Sequence, residues 1–124
     1  MGKSKLLLPL SGVHVMPWIL LILAVVCEVF GTLSLKLSNG FSILGPSIAV
    51  VAGYSLSFIL LARVLKTMEV GVAYAAWSGL GTALVAIAGI LVFGESASLA
   101  KAVCIMMIVG GVIGLHFFDT GVNA

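Results

Sequence analysis

Three long stretches of this chain contain no aspartate, glutamate, lysine or arginine: residues 37–62, 70–94 and 102–118. That pattern constrains the fold more than any motif does. A hydrocarbon core about 30 Å thick needs roughly 20 consecutive apolar residues in a helix, and each stretch has or approaches that length. Composition agrees: 62% of residues are hydrophobic and 8% charged, and the mean hydropathy is +1.34. About a quarter of a typical soluble domain is charged. A chain this poor in charge cannot cover itself for water, so the expected class is an all-α integral membrane protein.

A fourth span begins at Trp18 and ends near Lys36, which can reach back to the headgroups along its own stem. The reading is four transmembrane helices at about 18–37, 44–65, 71–93 and 99–118. Short connections make neighbouring helices antiparallel. Residues 1–17, with Pro9 and Pro17 as helix breakers, are read as an amino-terminal extension, and 119–124 as a short tail. Asn39-Gly40 and Gly45-Pro46 mark the first turn. Pro46 suits the first turn of the second helix, and Ser96 or Ser98 can cap the fourth. Lys3 and Lys5 before an apolar run imitate a signal peptide, but Pro9 interrupts it and no small-residue cleavage site follows.

Orientation is weakly written. The two ends and the second loop carry Lys3, Lys5, Arg63 and Lys66, against Lys36 and Lys101 on the other side. This favours cytoplasmic termini. Without the extension the two sides balance, so two copies could insert in opposite directions and pair. Cys27 and Cys104 lie inside spans, with no Cys-x-x-Cys or Cys/His cluster beside them, and are read as free thiols. No metal or cofactor is expected. Nor is an enzyme, since no nucleophile–base pair, metal cluster or phosphate loop is visible.

The exception to the oily pattern is Glu28, near the centre of the first span. An ionisable group at that depth costs about 2.5 kcal/mol or more on insertion scales and marks a functional site by default. No lysine or arginine shares its depth, so its positive partner is a substrate or a proton. Residues at helical offsets from it include Ala24, Gly31 and Thr32, which leave room for a helix or a ligand. The second helix presents Tyr54, Ser57 and Phe58; the third presents Tyr74, Trp77, Ser78 and Gly81. A carboxylate among aromatic faces suits an organic cation through Coulomb attraction and cation–π contact. The fourth helix carries Gly110, Gly111 and Gly114 and is read as an association surface. Four helices are too few to enclose a cavity and bury their own faces, and two opposed copies would supply the symmetry that inverted repeats give other transporters.

These residues carry a family resemblance. "CEVFGTLSLKLSNGF" (27–41), Pro46, Tyr54, "GVAYAAWSGLGTA" (71–83), "FGE" (93–95) and a glycine-bearing last helix resemble the small multidrug resistance family of bacterial proton-coupled exporters. The likeness runs from about Trp18 to Phe118. It implies an antiparallel homodimer in the inner (plasma) membrane, with the first three helices lining a chamber and the fourth making dimer contact. It implies that Glu28 binds both protons and cationic substrate, and that Tyr54 and Trp77 wall the chamber. Tyr74, Thr32, Gly31, Ala24, Ser57 and Ser78 would then shape it. The family's guanidinium exporters typically have Trp three residues after the acid, a non-tyrosine at the place of Tyr54, and Trp-Thr. Gly31, Tyr54 and Trp77-Ser78 instead resemble the branch that exports lipophilic quaternary cations, which is the expected substrate class. "GESAS" (94–98) resembles the guanidinium branch, so a guanidinium/proton antiporter is the alternative. A subunit of a heterodimeric exporter is another. Trp18, where the family often has Tyr, and the extension depart from the pattern.

Overall fold

The computed structural model describes residues 10–122, with side chains from Met16 to Phe118. They form four helices: α1 (Leu10–Leu37), α2 (Leu44–Val64), α3 (Val70–Phe93) and α4 (Leu99–Val122). All four are long and apolar enough to cross a membrane, over Met16–Leu37, Leu44–Val64, Val70–Phe93 and Leu99–Phe118. Among the described residues there is no strand.

The two inner helices match the sequence reading to within a residue at each end. The outer two are longer. Pro17 lies inside α1 instead of ending it. Proline removes one helical hydrogen bond, whereas irregular backbone in an apolar medium leaves several groups unsatisfied. The helix therefore runs through. At the other end α4 continues past Asp119 to Val122. A charge marks where a helix leaves lipid, not where it must stop. The run after Lys3 and Lys5 that imitates a signal peptide lies outside the described residues, up to Pro9.

The turns follow their local chemistry. After α1, Asn39, Gly40 and Phe41 all take positive φ (49°, 70° and 67°). The Ser38 hydroxyl holds this bend, donating to the Leu35 carbonyl at 2.7 Å and accepting from the Phe41 N–H at 3.0 Å. Ser98 is the cap of α4, accepting from the Lys101 N–H at 3.1 Å.

Packing is unequal. α1 lies most extensively on α2 and next on α3, and α4 joins through α3. At the α1–α2 crossing Gly31 faces Gly53. A methyl on Gly53 would sit 3.0 Å from both the Cys27 carbonyl oxygen and the Gly31 Cα, so backbone meets backbone there. Between α3 and α4, Gly79 receives side chains instead: a methyl there would press on Val112 and Ile108. The core gathers Leu21, Ala24, Val25, Leu61, Val64, Ala73, Ala76 and Trp77. The fourth helix stands nearly clear of its own chain: 6% of its most apolar window is buried, against 22–28% in the others.

Candidate functional site

Glu28 lies near the middle of its span, half-buried, and faces α3. Gly81 makes this position possible, since a methyl there would collide with the carboxylate. One helical turn further along α1, the Thr32 hydroxyl donates to Glu28 Oε2 at 2.7 Å. Its oxygen lies 2.5 Å from the Tyr54 hydroxyl on α2. Thr32 has one proton and gives it to Glu28, so Tyr54 is the donor in the second bond. The Tyr54 ring packs over Gly31, where a Cβ would lie 3.5 Å from it, an ordinary contact distance.

A second chain of hydrogen bonds holds the aromatic wall. Trp77 Nε1 donates to Ser57 Oγ at 3.0 Å, and Ser57 Oγ donates to the Ala24 carbonyl at 2.6 Å. Three helices are thus tied through one serine that is completely buried. The Trp77 ring is flanked by Phe58 and Tyr74, each with its centroid 5.5 Å away.

Together these groups bound a cavity of about 490 Å³, lined by Glu28, Thr32, Tyr54, Trp77, Ser78 and Gly81, and continued by Thr82, Val85 and Ala86. Six of the residues singled out in the sequence therefore meet around one space. The others stand behind or beside it. Ala24 and Ser57 are buried behind Trp77, Gly31 is covered by Tyr54, and Tyr74 is exposed on the outer side of the indole. Thr82, Val85 and Ala86 were not foreseen. They follow Ser78 and Gly81 at offsets of four and five on the same face of α3, and that continuation was the available signal.

The polarity of the wall is one-sided. Ser78 Oγ donates to the Tyr74 carbonyl at 2.8 Å, and Thr82 Oγ1 to the Ser78 carbonyl at 2.7 Å. Tyr54 and Thr32 give their protons to the Glu28 chain. Every hydroxyl around the cavity has its hydrogen committed and keeps lone pairs for a guest. Among the described residues Glu28 has no ion-pair partner; its described hydrogen bond is the one from Thr32. The arrangement is an acceptor-lined cavity with one carboxyl group and aromatic sides, built between membrane-spanning helices. The class it defines is a multi-pass membrane protein with a carboxyl-bearing cavity between its spans.

The family is identified by comparison. Residues 16–108 match the Small Multidrug Resistance protein family, and the chain belongs to it. It is 45% identical to a guanidinium exporter of Yersinia pseudotuberculosis over 100 residues, covering 81% of this chain and 96% of that one. It is 46% identical to a guanidinium exporter of Salmonella typhimurium, covering 81% and 95%. Against the uncharacterized membrane protein YvaE of Bacillus subtilis, identity is 42% over 104 residues, covering 84% and 87%. The protein is therefore a multi-pass cell-membrane transporter of that family.

Proposed function

We propose that the protein is a proton-coupled exporter of organic cations that carry N–H donors, with guanidinium-type cations as its substrates. The observation that carries this reading is the acceptor-only wall. Ser78, Thr82 and Tyr54 offer lone pairs beside an unpaired carboxylate. A guanidinium ion presents N–H groups in a plane and satisfies several acceptors at once. The names of the Yersinia and Salmonella relatives support the same choice.

The residues also supply a route to coupling. Ionised Glu28 accepts from Thr32, which accepts from Tyr54. A protonated Glu28 has its own hydrogen to give. It then donates to Thr32, Thr32 donates to Tyr54, and Tyr54 turns its O–H into the cavity. The wall that accepted the guest's hydrogens now offers one, and the guest is expelled. Proton and cation exclude each other through the whole chain and not only at one oxygen. A dimer of opposed copies, joined along the open glycine face of α4, would present this site alternately to the two sides.

A second reading is favoured by Gly31, Tyr54 and Trp77-Ser78, whose pattern resembles exporters of lipophilic quaternary cations. Such guests have no N–H and would bind through the rings of Tyr54 and Trp77. Substrate-evoked current on a solid-supported membrane separates the readings. Guanidinium should evoke a current that Glu28→Gln abolishes while the variant still inserts. If tetraphenylphosphonium evokes current and guanidinium does not, the second reading replaces the first. Silence with both would overturn cation export by this chain on its own and point to an unlike partner subunit.

A further inference from the structure

A second cavity, of about 170 Å³, continues from the first and shares Thr32 and Val85 with it. Register explains the continuity. Glu28, Thr32 and Lys36 recur every four residues on α1, and Gly81, Val85, Gly89 and Phe93 every four on α3. Residues four apart form a row along a helix, advancing about 6 Å per step. The two rows face each other, and between them runs a groove in which the glycines of the α3 row make room for the Glu28 and Glu95 carboxylates. It leads from Glu28 to the end of α3.

The outer end of the groove is built, not merely left over. Gly94 takes φ 69°, and the next N–H, that of Glu95, closes on the Gly89 carbonyl at 3.1 Å. This folds Glu95 back over the helix. Its carboxylate lies against Gly89, where a methyl would collide with it. From the opposite wall comes Lys36, whose Nζ sits 5.3 Å from the centroid of the Phe93 ring. At the last turn of α1 this lysine could reach the headgroups. It lies on the ring instead, in the cavity that Glu95 also lines. A ring, a carboxylate and a tethered ammonium at one end of a groove describe a cation site with a cation already in it.

We infer that Phe93 and Glu95 form a second, outer site for the transported cation, and that the Lys36 ammonium occupies it until an organic cation displaces it. The inference rests on the cation-export reading above. A guest taken at the outer site has two helical turns to travel along the Thr32–Val85 wall to Glu28. The displaced lysine loses little, because its head moves into water. Lys36 is then a built-in competitor that sets how much external cation is needed to load the groove.

The test compares initial uptake of guanidinium and of tetraphenylphosphonium by proteoliposomes. Lys36→Gln should lower the KM for the transported cation about two- to fivefold, the scale of one exposed cation–π contact. Lys36→Arg should keep the KM near that of the natural protein. Phe93→Leu and Glu95→Gln should each raise it, and in the Phe93→Leu background Lys36→Gln should have no effect. Damage to the fold cannot imitate the first result, because a damaged transporter does not gain affinity. An unchanged or raised KM in Lys36→Gln overturns the outer site, as does a lowered KM that persists without the Phe93 ring. Proton release on guest binding is followed in parallel. If the natural protein releases none, the coupling proposed for Glu28 fails, while the KM series still decides the outer site.

Discussion

The Trp77 indole nitrogen donates to the Ser57 hydroxyl at 3.0 Å, and Ser57 passes its own hydrogen to the Ala24 carbonyl at 2.6 Å. A serine has one hydrogen to give, so this order is the only one that satisfies all three groups. The consequence is a fixed indole plane beside Glu28, held from behind by a buried residue that does not line the cavity.

Ser57→Ala should therefore change guest binding from a distance. It leaves the indole N–H unsatisfied in a buried setting, at a cost of about 1–3 kcal/mol. We expect a lower thermal midpoint in detergent and a several-fold weaker guest affinity. Trp77→Phe removes the donor as well. The double variant Ser57→Ala/Trp77→Phe should then be little worse than Trp77→Phe alone, and full additivity of the two losses would refute the linkage.

Gly81→Ala puts a methyl where the Glu28 carboxylate lies. Overpacking of this kind costs typically 1–3 kcal/mol, and here it falls on the acid itself. Guest-evoked proton release should drop at least about fivefold, by the same range of free energy. Gly71→Ala, where nothing lies within 4 Å of the added carbon, should leave both release and stability near their natural values. Equal damage from the two substitutions would mean that Gly81 matters only as helix backbone.

Tyr54→Phe keeps the ring over Gly31 and deletes the hydroxyl that reaches Thr32. A typical hydrogen bond contributes about 0.5–1.5 kcal/mol net. Guanidinium affinity should fall by roughly the two- to tenfold that this range corresponds to, while tetraphenylphosphonium, without N–H donors, should bind nearly as before. Isothermal titration of both cations on one preparation checks this. A loss shared equally by the two guests would show that Tyr54 acts as a surface and not as an acceptor.

The spans were legible because insertion into lipid imposes a length and forbids charge, and both are visible in sequence. Their outer limits were not, because Pro17 and Asp119 mark changes of environment that a helix can cross. The site was legible at its chemically unusual members. Glu28 stands out in lipid, and Tyr54 and Trp77 stand out for their size. Helical offset could say that Ser57 and Ala24 shared a face with these residues. It could not say which lay in front. Depth depends on the approach of neighbouring helices, and the glycine pair at 31 and 53 sets that approach. Thr82 and Val85 line the cavity but carry no chemistry that distinguishes them in a membrane helix. The sequence lets Lys36 reach for headgroups, and it carries no sign of the position over the Phe93 ring, because that depends on the packing of α1 against α3.

The glycine face of α4 makes a further expectation. Gly110 and Gly111 are exposed, and a methyl at 110, 111 or 114 would meet nothing within 4 Å in the same chain. If two copies pair along this face, Gly111→Leu and Gly114→Leu should shift the protein toward monomer in detergent, as read by sedimentation. Cysteines placed on this face should cross-link copy to copy. Dimers unaffected by both leucines would move the contact to another surface.

The two sides of the chamber differ in their freedom to change over evolutionary time. Where α1 crosses α2 there is no slack, because Gly53 lies against the backbone of Cys27 and Gly31, and Tyr54 is seated on the same spot. A larger residue at that crossing would disturb the acid's hydrogen-bond chain before it altered any guest. The α3 side presents Ser78, Thr82, Val85 and Ala86 to open space. On the function proposed above, substitutions there would redraw the range of cations carried while the proton chemistry stays intact. On that reading, descendants of this chain would diversify their cargo from one wall and inherit their energy source from the other.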